Sequence, residues 1–110
     1  PGAASRLREF IQRHFAGRPI WLVFGVMRDK EVAKITSQLF PLAERVIVTR
    51  AAQDRALEPE AISAITPHPH SQLTGSVADA VALLGAAPPN AVVFVTGSLF
   101  VVGEARPLLQ

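Results

Sequence analysis

Ile20-Trp21-Leu22-Val23-Phe24 is apolar at every position, and Pro19 before it and Gly25-Val26 after it lengthen the run without any alternation. A strand with one wet face alternates apolar and polar residues, so a run like this must be covered on both faces. Such strands belong to parallel sheets held between two layers of helix. Arg45-Val46-Ile47-Val48-Thr49 and Ala91-Val92-Val93-Phe94-Val95-Thr96 have the same character, and the second reads as the clearest buried strand of the chain. Gln72-Leu73-Thr74 is a weaker candidate, suited to a sheet edge.

Segments of helical period separate these runs. Leu7, Phe10, Ile11, His14 and Phe15 form one stripe, which predicts an opening helix with His14 in or beside the core. Pro1 suits its first turn and Gly17 the position just past its end. Val32, Ile35 and Leu39 repeat at helical spacing, with Asp29 as the expected N-cap. Ala56 to Glu60 reads as the entry to a short helix through Ile65. Ser76 is expected to cap a helix bearing Val77, Ala80, Val81 and Leu84, ended by Gly85. A last helix starts at Leu99, with Pro107 near its end. The alternation predicts an α/β, Rossmann-like fold: a mostly parallel sheet flanked by helices. A chain of this class that opens on a helix is expected to have its first strand before Pro1. A doubly wound sheet would place that strand centrally.

Composition narrows the function. A length of 110 residues suits one domain, residues 1–110. A chain that is 49% hydrophobic and 18% charged packs rather than staying disordered. Eleven Lys and Arg against nine Asp and Glu give a net charge of +2, with no basic cluster, so no nucleic-acid partner is expected. The absence of Cys excludes disulfides, zinc-thiolate sites and a thiol nucleophile. No apolar run approaches the roughly 18 residues of a membrane span, so no membrane partner is expected, and a cytoplasmic setting is compatible. His68 and His70 flank Pro69 without a third ligand nearby, so no metal site is assigned. Gly-x-Gly-x-x-Gly, the phosphate-loop motif and Gly-x-Ser-x-Gly are all absent.

Parallel sheets bind ligands beyond the carboxyl ends of their strands. Two such ends carry polar, Gly-containing loops, Gly25 to Lys30 and Thr96-Gly97-Ser98. Ser98 reads either as a helix cap or as a hydroxyl holding a carboxylate or phosphate, and the two are compatible. Arg28-Asp29-Lys30 reads either as a charged loop facing a ligand or as a capped, solvated turn.

Several motifs go further. Val23-Phe24-Gly25-Val26-Met27-Arg28-Asp29-Lys30-Glu31, Val48-Thr49 with Arg55-Ala56-Leu57 downstream, and Thr96-Gly97-Ser98-Leu99-Phe100 followed by Gly103-Glu104-Ala105-Arg106 resemble the C-terminal domain of folylpolyglutamate synthase. That enzyme, often bifunctional with dihydrofolate synthase, belongs to the Mur ligase superfamily. Pro1-Gly2-Ala3-Ala4 resembles the continuation of the family's Asp-Gly-Ala-His-Asn-Pro motif. The resemblance implies an ATP-dependent ligase in which a folate γ-carboxylate, or the carboxylate of dihydropteroate, is phosphorylated and the amine of L-glutamate displaces phosphate from the acyl phosphate. It implies that ATP and Mg2+ are bound mainly by an N-terminal ATPase domain of the same chain. This domain would close the cleft and contribute to glutamate and nucleotide binding, without supplying a catalytic residue or metal ligand. Ser98 maps to the glutamate-associated Ser of the family, and Phe100 to an aromatic that is often Tyr. Phe100 has no hydroxyl to donate. Arg28, Asp29 and Lys30 would face the interdomain cleft. A zwitterionic amino acid needs carboxylate donors, which a Ser hydroxyl and helix-start N–H groups can supply. Closure by a separate domain shields an acyl phosphate from water. The alternatives are the C-terminal domain of another Mur-type amino-acid ligase, or a non-catalytic α/β binding module.

Overall fold

The computed structural model describes residues 2–109, so the role expected of Pro1 lies outside the described residues. Four strands form one parallel sheet: β1 (Ile20–Phe24), β2 (Arg45–Val48), β3 (Ser71–Leu73) and β4 (Val92–Thr96), in the order β3-β2-β1-β4. The helices are α1 (Ala3–His14), α2 (Val32–Leu39), α3 (Pro59–Ile65), α4 (Val77–Leu83) and α5 (Leu99–Ala105). The fold is α/β, as the alternation predicts.

The unbroken apolar run does what it must. β1 is buried at all five positions, and alternate side chains serve two cores. Leu22 and Phe24 face one way, packing with Val46, Val48, Leu39, Phe40 and Ile62, and with Ala4, Leu7 and Ile35 from α1 and α2. Trp21 and Val23 face the other way, toward Ile47 of β2 and Ala80 of α4. Ala51, Val77, Val101 and Ala105 join α4 to α5 on that second side. Phe24 meets Phe40 edge-on at 5.4 Å between ring centroids. Removing side chains of this size from water stabilises the fold by roughly 1.5–3 kcal/mol each.

Helices α1, α2 and α3 therefore share one face, and α4 and α5 the other. The chain steps from β1 to β2 to β3 over the first face, then returns past β1 to β4 over the second. A reversal of direction needs a change of face if every crossover is right-handed. The same rule settles where a preceding strand would sit. β1 is hydrogen-bonded to β2 on one side and to β4 on the other, so the central placement expected from sequence has no room. A strand feeding α1 by a right-handed crossover would pair outside β4.

Two further expectations are corrected. β4 is an edge strand among the described residues, not the most buried one, and Val93 keeps 37% of its surface. His14 is exposed, as is Phe10. Only Ile11 of α1 is fully buried, with Leu7 and Phe15 half-buried. The helix meets the sheet along i, i+4 and i+8, and positions i+3 and i+7 fall on its outer flank. There Phe10 and His14 pack on each other at 4.7 Å. Other local signals hold. Gly17 has φ +85 past the end of α1. Ser76 Oγ accepts the Asp79 N–H at 3.1 Å as the cap of α4.

Candidate functional site

All four strands point the same way, so their carboxyl ends share one rim, and both candidate loops lie on it. Gly25 follows β1 and Gly97 follows β4. Their backbones touch. The Gly25 N–H reaches the Thr96 carbonyl at 3.4 Å, and a Cβ on Gly97 would lie 2.1 Å from the Gly25 oxygen. Gly97 also has φ +114, which L side chains rarely adopt. This contact brings the two loops together around a groove of about 220 Å3, lined by Met27, Lys30, Gly97, Ser98, Leu99 and Phe100.

Ser98 is nearly buried, at 8% exposure. Its Oγ accepts from the N–H groups of Phe100 at 3.0 Å and Val101 at 3.2 Å, which makes it the N-cap of α5. Capping is thus observed directly. The helix-start donors expected to hold a ligand are instead taken by Ser98 at those two positions. A hydroxyl has two acceptor lone pairs and one O–H donor, so with both lone pairs engaged the O–H remains free to give. Leu99 is 88% exposed and Phe100 48%, so the mouth of the groove is apolar.

Lys30 lies across the groove from Ser98. Arg28, Asp29 and Lys30 are all exposed. Asp29 is not the N-cap of α2. Lys30 bonds back to the Met27 carbonyl, and Glu31 occupies the cap position without a side-chain bond. Asp29 turns instead toward Arg55, with Oδ2 3.5 Å from Nη2. Neither Arg28 nor Lys30 has an ion-pair partner among the described residues.

Sequence reasoning did not place Arg55 at the site. The polar stretch after β2 folds back against the loop after β1. Met27 and Ala56 form an antiparallel bridge, the Arg28 N–H donates to the Arg55 carbonyl at 2.8 Å, and the Leu57 N–H donates to the Val26 carbonyl at 2.9 Å. The loop after β1 is therefore one strand of a two-stranded ribbon. Its trace in the sequence is the small, apolar Ala56 between Arg55 and Leu57. It is buried beneath the bridge.

His68 lies at the opposite rim. Its Nδ1 accepts the His70 N–H at 3.0 Å, so the ring proton sits on Nε2 and is donated to the Ala43 carbonyl at 2.9 Å. Both nitrogens are engaged. Among the described residues, no three His, Asp or Glu side chains gather as metal ligands.

The fold has close counterparts. The family described as Mur ligase, glutamate ligase domain, matches residues 1–99. The chain belongs to that family. A probable bifunctional folylpolyglutamate synthase/dihydropteroate synthase of Haloferax volcanii is 36% identical over 89 residues, covering 77% of this chain and 10% of that protein. Among solved structures, folylpolyglutamate synthase of Mycobacterium tuberculosis, complexed with ADP and AMPPCP, superposes with a TM-score of 0.82 at 27% identity. That comparison covers 96% of this chain and 26% of the other. Folylpolyglutamate synthase of Thermotoga maritima gives a TM-score of 0.80 at 30% identity, over 96% of this chain and 24% of that one. This Mur ligase domain thus spans about a tenth of the Haloferax protein and about a quarter of the solved enzymes. None of its helices is long and apolar enough to cross a membrane, among the described residues.

Proposed function

We propose that residues 1–110 are one domain of a larger cytoplasmic ligase, which joins L-glutamate to a folate or pteroate carboxylate with hydrolysis of ATP. In this reading the domain closes over a cleft whose other wall is an N-terminal ATPase domain of the same chain. The observation that carries it is the groove between Ser98 and Lys30. One wall offers a hydroxyl whose lone pairs are engaged by its own helix, leaving an O–H donor suited to the carboxylate of glutamate. The other wall offers Lys30, with Arg28 exposed in the same loop, both cations without ion-pair partners among the described residues and suited to nucleotide phosphates. Kinship with enzymes named folylpolyglutamate synthases supports the assignment.

Within this reading Ser98 orients the incoming amino acid, and Phe100 packs beside it without a hydrogen bond. Arg28 and Lys30 steer the nucleotide, and Asp29 is held back by Arg55. The Mg2+ ligands are assigned in this reading to the rest of the ligase. Holding the glutamate amine near the acyl phosphate, with water excluded, accelerates attack by positioning rather than by acid–base chemistry. Steady-state kinetics of the full ligase test the proposal. Ser98→Ala should raise the KM for glutamate much more than the KM for ATP. Unchanged glutamate kinetics would remove Ser98 from the pocket, and turnover of a UDP-linked peptide in place of a folate would move the enzyme elsewhere in the superfamily.

A further inference from the structure

Glu104 sits in the last turn of α5, six residues beyond Ser98, and far along the helix from the groove. Its Oε2 nevertheless accepts the Ala52 N–H at 2.8 Å, across 52 residues of sequence. Ala52 lies in the loop that joins β2 to α3. That loop is cross-braced along its length. The Arg50 guanidinium pairs with Glu58 and also donates to the Gln53 carbonyl at 3.1 Å. The Gln53 N–H donates to the Ala51 carbonyl at 2.8 Å, and the Ala56 N–H to the Gln53 carbonyl at 3.0 Å. Buried Ala51 and Ala56 anchor it at either end. Beyond Ala56 it becomes the outer strand of the ribbon that carries Arg28, Asp29 and Lys30.

A continuous set of contacts therefore runs from Glu104 through Ala52, Gln53 and Ala56 to Met27 and Arg28, with Arg55 holding Asp29 on the way. The same helix that Ser98 caps thus also holds, through Glu104, the loop that backs the charged wall. We propose that Glu104 is a positioning residue that latches the 50–57 loop to α5, fixing Arg28 and Lys30 relative to Ser98. That role rests on the function proposed above. A carboxylate is well suited to it. The N–H of an exposed loop is a weak anchor with water as its competitor, and a charged acceptor strengthens the bond. Glu104 touches no reacting atom in this scheme. Its effect passes through the ribbon.

The test compares Glu104→Ala with Glu104→Gln in the full-length ligase, using amide hydrogen exchange and steady-state kinetics together. Glu104→Ala should speed exchange across residues 50–57 while leaving β1 and β2 protected. It should raise the KM for ATP about fivefold to tenfold, as loss of one charge-assisted hydrogen bond allows, with little change in the KM for glutamate. Glu104→Gln keeps a side-chain carbonyl to accept the same N–H and should recover most of both effects. Unchanged exchange at residues 50–57 overturns the latch, whatever the enzyme does. Faster exchange with unaltered KM for ATP overturns the coupling to Arg28 and Lys30. A wild-type protein with no ligase activity would sink the proposed function instead, while exchange still reports on the latch.

Discussion

A methyl group on Gly97 would lie 2.1 Å from the carbonyl oxygen of Gly25, closer than any two such atoms can stand. The loops after β1 and β4 are thus pressed backbone to backbone beside the groove lined by Ser98 and Lys30. Gly97→Ala should destabilise the domain by at least about 3 kcal/mol, because positive φ and a backbone clash add. Gly103 is the control. It lies inside α5 with open space around it, and Gly103→Ala should gain about 0.5–1 kcal/mol from helix propensity. Urea midpoints of the two variants would read the contrast, and similar midpoints would mean the two loops are free to part.

Ser98 has two separable roles in this scheme, capping and donation. Ser98→Ala abolishes both and should cost about 1 kcal/mol of stability. Ser98→Asp keeps an acceptor for the Phe100 and Val101 N–H groups but sets a negative charge where a carboxylate would bind. Its thermal midpoint should stay near wild type while the KM for glutamate rises further than in Ser98→Ala. Equal glutamate affinity in the two variants would confine Ser98 to capping.

The Asp29–Arg55 pair is solvent-exposed on both sides, and such pairs contribute about 0–1 kcal/mol. Arg55→Ala should therefore leave the unfolding midpoint almost unmoved. It should still weaken ATP binding a few-fold, because Asp29 then stands unneutralised beside Lys30. A large loss of stability would show that Arg55 has packing duties that its exposure hides.

Thr49 is completely buried at the end of β2, and its hydroxyl has no hydrogen-bond partner among the described residues. An unpaired buried hydroxyl is destabilising, and Val has nearly the same shape. Thr49→Val should raise the urea midpoint, by about 1 kcal/mol of stability. A drop would show that the hydroxyl is satisfied in solution.

The 110 residues alone should make no ligase product from ATP, glutamate and a folate, because the sequence holds no phosphate-loop motif and the described residues gather no metal ligands. Detectable ATP-dependent product from the isolated chain would contradict the proposed division of labour.

The architecture was largely legible in the sequence because burial on both faces leaves a plain mark. Ile20 to Phe24 had nowhere polar to go, and Ser76 and Gly17 punctuated their helices as their chemistry requires. Errors arose where tertiary placement decided exposure. The run at β4 looks as buried as that at β1, but among the described residues it has a strand on one side alone, and strand composition does not report the number of neighbours. His14 shares a stripe with Ile11, yet the narrow contact of α1 with the sheet leaves it outside. At the candidate site, the nearness of Ser98 and Lys30 was readable because strand ends of a parallel sheet converge. Arg55 and Glu104 were not, since a ribbon between two loops and a bond across 52 residues have no local period to betray them.

The parallel sheet also leaves a quiet rim. At the amino ends of the strands lie Gly17, Arg18, Pro19, Glu44, Pro88 and Asn90, tied by the Arg18 Nε bond to the Asn90 carbonyl at 3.0 Å and remote from every loop given a role above. The domain thus carries a handle. A dye grafted at Asn90 would ride rigidly on the sheet and touch nothing in the groove. Energy transfer to a second dye elsewhere in the ligase would then test the proposed closure, turnover by turnover.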